Sequence, residues 1–183
     1  MEVPMDVLEA IYKRRSIRSF DSTPVPEDYV KTIIAAATMA PTAGDMQPWE
    51  FLLIKNQDLK KRVIEATYTG YDTTGKPQYW LQSAPILILV CFDKKRTGAR
   101  YGKEEAKVIP LLDCACAIEN MLLVATALGL GGCWVLGFNK EKLEKVLSLN
   151  GLELLALVPL GYPDHVPDAP YRLELDYIYR EIT

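Results

Sequence analysis

The stretch "LLDCACAIENMLLVATALGL", residues 111–130, constrains this chain more than any other. It reads as one long helix that is apolar almost all the way round. Such a helix has no face to offer water, so it must be covered on every side. A sheet is one cover, and a second subunit is another. The stretch is long enough to cross a bilayer, but Asp113, Glu119 and Asn120 interrupt it. We therefore read it as a buried core helix and expect no membrane partner.

The rest of the chain supplies the cover. "MDVLEAIYKRR" carries Val7, Leu8, Ile11 and Tyr12 on one helical face. "PVPEDYVKTIIAAATMA" predicts a second helix, with Pro26 near its first turn, an apolar stripe of Val30, Ile33, Ile34 and Ala37, and Pro41 as its stop. "WEFLLIK" (49–55) reads as a strand, followed by a helix that Asn56 caps. Residues 67–83 read as an irregular loop or short helix. "PILILVCF" (85–92) is a continuous apolar run, the pattern of a strand buried on both faces. Residues 94–107 are polar and predict an exposed, mobile segment.

After the long helix, "GGCWVLGF" (131–138) predicts a strand, "NKEKLEKVLSL" a helix starting at Asn139, and "LELLALVPLGYP" the last buried strand. In the tail, Leu173, Leu175 and Tyr177 alternate with charges and predict a final strand. The order ααβαβαβαβ describes an α+β or α/β layered architecture around one sheet. At 183 residues the chain is read as a single domain, 1–183.

A net charge of −3 excludes a general nucleic-acid binder, which needs excess positive charge to displace counterions. The start "MEVPMDVLEA" is acidic and has no apolar run, so no signal peptide is expected. None of the four cysteines forms CxxC, and Cys114 and Cys116 would point about 200° apart on a helix. They are expected as free, packed thiols in a reducing cytoplasm. With His165 as the sole histidine, no metal site is expected.

Against this acidic background, "RRSIRSF" (14–20) stands out with Arg14, Arg15 and Arg18 beside Ser16. The arginines are solvated, or cap a helix C-terminus, or grip an anion. "APTAGDMQPWEF" (40–51) offers small residues for close backbone approach and Gln47, whose amide both donates and accepts. It is equally readable as a plain helix-to-strand loop. "LGLGGCW" (128–134) follows a helix and precedes a strand, the reverse of a dinucleotide fingerprint. No catalytic triad is marked.

Together, "RRSIRSF", "PTAGDMQPW", "ALGLGGCWVLGF" and "LVPLGYP" resemble, in order, the motifs of the nitroreductase family of FMN-dependent oxidoreductases. The resemblance implies an α+β fold with a central, mostly antiparallel sheet flanked by helices. It also implies an intertwined homodimer with two FMN sites at the interface, and a tail, 163–183, that extends onto the partner. On that model Arg14, Arg15 and Ser16 hold the FMN phosphate and ribityl chain, with Arg172 as a second phosphate ligand. Arg18 lies near the pyrimidine end of the flavin. Pro41, Thr42, Ala43, Asp45 and Gln47 reach the flavin from the other subunit, and Leu136 and Gly137 offer backbone contacts near flavin N5.

Asp45 departs from the family's usual Asn, and Pro170 stands where some members carry a second basic ligand. The implied activity is ping-pong hydride transfer from NADH or NADPH to a small-molecule acceptor: a nitroaromatic, a quinone or a flavin. No protein acid or base is required, because the cofactor carries the redox chemistry and Arg18 tunes it electrostatically. Alternatives within the resemblance are dehalogenation, flavin fragmentation, enone reduction, or a slow flavin carrier or sensor. A substrate lid would be sought in 67–83 and 94–107.

Overall fold

A computed structural model describes residues 5–70 and 74–182, so residues 71–73 of the expected 67–83 loop and Thr183 of the tail lie outside the described residues. Four strands form one antiparallel sheet in the order β1-β2-β4-β3. They are β1 (Trp49–Leu53), β2 (Ile86–Phe92), β3 (Gly131–Gly132) and β4 (Glu153–Gly161). The helices are α1 (Val7–Lys13), α2 (Glu27–Thr38), α3 (Gln57–Glu65), α4 (Lys94–Tyr101), α5 (Ile109–Ala127), α6 (Lys140–Val146) and α7 (Leu175–Ile178). This is an α+β architecture.

The strand period of two sorts β2 into two layers. Ile88, Val90 and Phe92 pack with α2 and α5, while Leu87, Leu89 and Cys91 pack with α3 and α6. The continuous apolar run is therefore buried on both faces, as its composition predicts. Helix α5 buries Cys114, Ala117, Ile118, Met121, Leu122 and Ala125, but it leaves Leu112 and Cys116 exposed. Cys116 thus departs from the expectation of packed thiols. Asn56 and Asn139 cap α3 and α6, each accepting from the backbone N–H three residues on at 2.9 Å.

Three expectations are corrected. The strand expected over 131–138 is two residues long. Gly131 and Gly132 lie so close to Ile17, Leu122 and Leu160 that no Cβ fits, and beyond them there are only isolated bridges, Val135 with Leu157 and Phe138 with Thr67. Among the described residues the tail forms no strand, and no neighbouring strand is there to pair with it. Leu173, Leu175 and Tyr177 are exposed, and α7 is a single turn. The segment 94–107, expected to be exposed and mobile, is largely exposed but carries helix α4 and a buried side chain. Asp93 caps α4 through the Lys95 N–H at 2.8 Å, and Thr97 is wholly buried.

Helix α1 buries only Ala10 and exposes Val7, Leu8, Ile11 and Tyr12, so its apolar face has no cover among the described residues.

Candidate functional site

The arginine strip is placed by its one apolar member. Ile17 is 2 % exposed and sits on Gly131, and its N–H donates to the Gly132 carbonyl at 2.9 Å. With Ile17 turned into the core, Ser16 and Arg18 fall on the opposite side of the extended segment. The tail is pinned across this strip by three contacts. Asp21 N–H donates to Tyr162 O at 2.9 Å, Asp164 N–H to Ser19 O at 3.1 Å, and Ser19 Oγ to Asp164 Oδ2 at 2.8 Å.

These contacts close a groove of about 280 Å³ that brings Arg14, Arg15, Ser16, Arg18 and Arg172 together, with Pro170 and Asp168 on its wall. Arg14 meets Glu119 of α5 through Nε at 3.4 Å, which leaves its two terminal nitrogens free of that pairing. Arg15 spends Nη1 on the carbonyls of Tyr12 and Arg14, both at 2.8 Å, so it does cap the end of α1. Its Nε is buried with no partner among the described residues. The capping reading therefore applies to this residue, and its Nε remains without a partner beside the groove. The groove gathers four guanidinium groups against one carboxylate, a set of charges and donors of the kind that suits an anion.

Arg18 also borders a second groove of about 450 Å³, walled by Tyr68, Trp80, Trp134, Leu136 and Gly137. Among the described residues, neither the Leu136 nor the Gly137 N–H donates to a carbonyl. The Trp134 indole nitrogen is buried without a partner there as well. Cys133 lines the same groove. Burial pushes its thiol up, although Arg18, Ser16 and Arg14 pull the other way.

Residues 41–47 line neither groove. Their loop is strained, with left-handed φ at Gly44 (57°), Asp45 (58°) and Gln47 (45°). Asp113 of α5, buried in the core, holds it by accepting from Thr42 Oγ1 at 3.0 Å and Ala43 N–H at 3.2 Å. Gln47 N–H donates to Thr42 Oγ1 at 3.0 Å, and Gln47 Nε2 to Asp45 Oδ1 at 2.7 Å. From α4, Arg96 reaches Gln47 O at 2.9 Å and Arg100 reaches Gly44 O at 3.1 Å.

Sequence reasoning missed Asp113, Glu119, Tyr68, Gln78 and Trp80. The only available signal for the two acids was their presence in an apolar helix.

The nitroreductase family model matches residues 11–162. An Archaeoglobus fulgidus protein named as an NADH dehydrogenase/NAD(P)H nitroreductase is 33% identical, over 96% of this chain and 98% of its own length. Rat iodotyrosine deiodinase 1 is 29% identical, over 93% of this chain and 67% of its own. A nitroreductase family protein from Streptococcus pneumoniae TIGR4, 25% identical, superposes with a TM-score of 0.83 over 97% of this chain and 100% of its own. With the family pattern matched along most of its length, on an α+β fold shared with that solved structure, this chain belongs to the nitroreductase family.

Proposed function

We propose that this FMN- and NAD(P)H-dependent oxidoreductase reduces nitroaromatic, quinone or flavin-type acceptors in a site completed by a second copy of the chain. The observation that carries this reading is the convergence of Arg14, Arg15, Ser16, Arg18 and Arg172 on one groove. Arg172 is separated from the others by the whole fold, and nothing in local structure requires it to join them.

The residues present suit FMN. The terminal nitrogens of Arg14, the buried Arg15 Nε, Ser16 Oγ and Arg172 form a phosphate-binding donor set. The adjoining groove has aromatic walls, which suit a flat ring. When bound there, FMN supplies the redox chemistry, taking a hydride from NADH or NADPH and giving it to the acceptor in a ping-pong cycle. Arg18, which borders both grooves, holds positive charge where a reduced ring gathers negative charge. The Leu136 and Gly137 backbone offers fixed donors at the ring's reactive edge.

The homodimer is part of the proposal. The uncovered apolar face of α1 and the exposed Leu112 of α5 offer it a surface, and the exposed tail offers a strap. The loop carrying Pro41, Thr42, Ala43, Asp45 and Gln47 then faces the partner's flavin, preset by Asp113, Arg96 and Arg100. As a single 1–183 domain it acts without nucleic acid or membrane, in the cytoplasm.

Purified protein should be yellow, or become so with added FMN, and should bleach with NADH or NADPH. A colourless protein that no FMN restores overturns the proposal. The similarity to iodotyrosine deiodinase supports a second reading, reductive dehalogenation of a halogenated phenol. A turnover screen with one nitroaromatic, one quinone, one flavin and one halotyrosine separates the two.

A further inference from the structure

We propose that Gln78 is a positioning residue that sets the backbone donors of Leu136–Gly137 for the flavin. This rests on the proposed reading in which those donors face flavin N5. Gln78 lies in the loop of residues 67–83, where its spacing carries no recognisable signal.

Its side chain is fully engaged. Nε2 donates to Tyr68 O and to Gly137 O, each at 3.0 Å, and Oε1 accepts from Trp80 Nε1 at 3.2 Å. Its own backbone N–H donates at 2.8 Å to the hydroxyl of Thr67, a buried residue. One amide thus ties together three strips of the aromatic groove, at Tyr68, Trp80 and Gly137. An amide has two N–H groups, and both are committed to carbonyls, so the side chain has no alternative arrangement that keeps these bonds.

The effect on the donors follows from peptide planarity. Gly137 O accepts from Gln78 Nε2 and from the Tyr68 N–H at 2.9 Å, which fixes the Gly137–Phe138 peptide. The N–H of that peptide donates back to Leu136 O at 3.0 Å. The Leu136 carbonyl is therefore aimed at Phe138, and the Gly137 N–H on the same trans peptide is aimed the opposite way. Gly137 has no room for a side chain, because a Cβ would stand 2.6 Å from Tyr68 O and 2.9 Å from Gln78 Nε2. The turn is held from one side by Gln78 and left open on the other.

Flavin N5 accepts a hydrogen bond when oxidised and carries a hydrogen when reduced. A fixed N–H at N5 therefore pairs with the oxidised form and opposes the N5–H of the reduced form, so loosening it weakens the first slightly and lets the second bind more tightly. The phosphate groove does not involve Gln78, so affinity for oxidised FMN should change little.

The test uses the full chain with Gln78→Glu, which turns two donors into acceptors facing carbonyls, and Gln78→Met, which removes them at similar size. FMN affinity is measured by fluorescence titration, the midpoint potential by dye equilibration, and folding by thermal denaturation without FMN. The expected result is oxidised FMN affinity within about threefold of the parent. The preference for oxidised over reduced FMN should fall roughly tenfold, a rise of about 30 mV for two electrons. An unchanged potential in Gln78→Met overturns the positioning role, as does a loss of FMN affinity with the potential kept. If Gln78→Glu does not fold, Gln78→Met decides alone. A parent chain that binds no FMN overturns the proposed function instead.

Discussion

The hydroxyl of Thr42 donates to the carboxylate of Asp113 at 3.0 Å, joining a strained loop to the core helix 71 residues further along. The same carboxylate takes the Ala43 N–H through its other oxygen. This is the only charged side chain buried in α5, and both its oxygens are used on one loop.

Replacing Asp113 with Ala should therefore destabilise the protein by about 1.5–3 kcal/mol for a charge-assisted contact, with the loop's donors left unpaired. Asp113→Asn keeps one acceptor and should cost less. Urea denaturation at matched FMN saturation measures both. A midpoint unchanged in Asp113→Ala would show that the loop does not depend on this anchor.

The arginines should divide by role. Arg14→Ala should weaken FMN binding by roughly 1.5–3 kcal/mol, the worth of one charge-assisted contact. Arg172→Ala should fall in the same direction by less, because its side chain is exposed. Arg18→Ala should alter the rate of reduction by NADH, or the midpoint potential, more than it alters affinity. Fluorescence titration and stopped-flow absorbance separate these effects. Unchanged affinity in Arg14→Ala would remove that residue from the site.

The thiols give a pH signature. Burial pushes Cys91 and Cys114 up to about 12 from an ordinary value of 9.0, with Glu50 beside the first and Asp113 and Cys91 beside the second adding to it. Their protons are held in the native state and released by the unfolded chain above pH 9. Stability should therefore be complete below pH 9 and fall as pH rises towards 12. Denaturation midpoints across that window, in the parent and in Cys114→Ala, test the slope. At pH 8 a thiol reagent should modify no more than the exposed Cys116 in native protein, and all four cysteines after unfolding.

Gly137→Ala should cost about 1–3 kcal/mol, the usual range for overpacking, because the new methyl would collide with the Tyr68 carbonyl, a backbone atom. It should also slow reduction by NAD(P)H. Thermal denaturation and single-turnover absorbance measure the two effects. A variant as stable and as fast as the parent would show that the turn can open without consequence.

Much of the fold was legible because its signals are local. Asn56 and Asn139 announce helix starts through bonds that reach three residues. The β2 run announces burial on both faces by having no polar position. The tail failed because alternation reports only that a strand is compatible. A strand also needs a neighbour, and Leu173 to Tyr177 have none among the described residues. The α4 segment failed for the opposite reason. Its order comes from the buried Thr97 and from Arg96 and Arg100 reaching the 41–47 loop, and a polar composition does not advertise such contacts.

The sequence by itself determined the family and the α+β class. It also determined that three arginines and a serine share one strip, since residue identity and spacing suffice for these. Only the tertiary structure decided that Arg172 joins the strip, that Arg15 divides itself between helix cap and groove, and that Asp113, Glu119 and Gln78 hold the surrounding pieces. Each of those depends on bonds between segments distant in the chain. A hydrogen bond or ion pair acts over a few ångströms of space, and distance along the sequence carries no record of it.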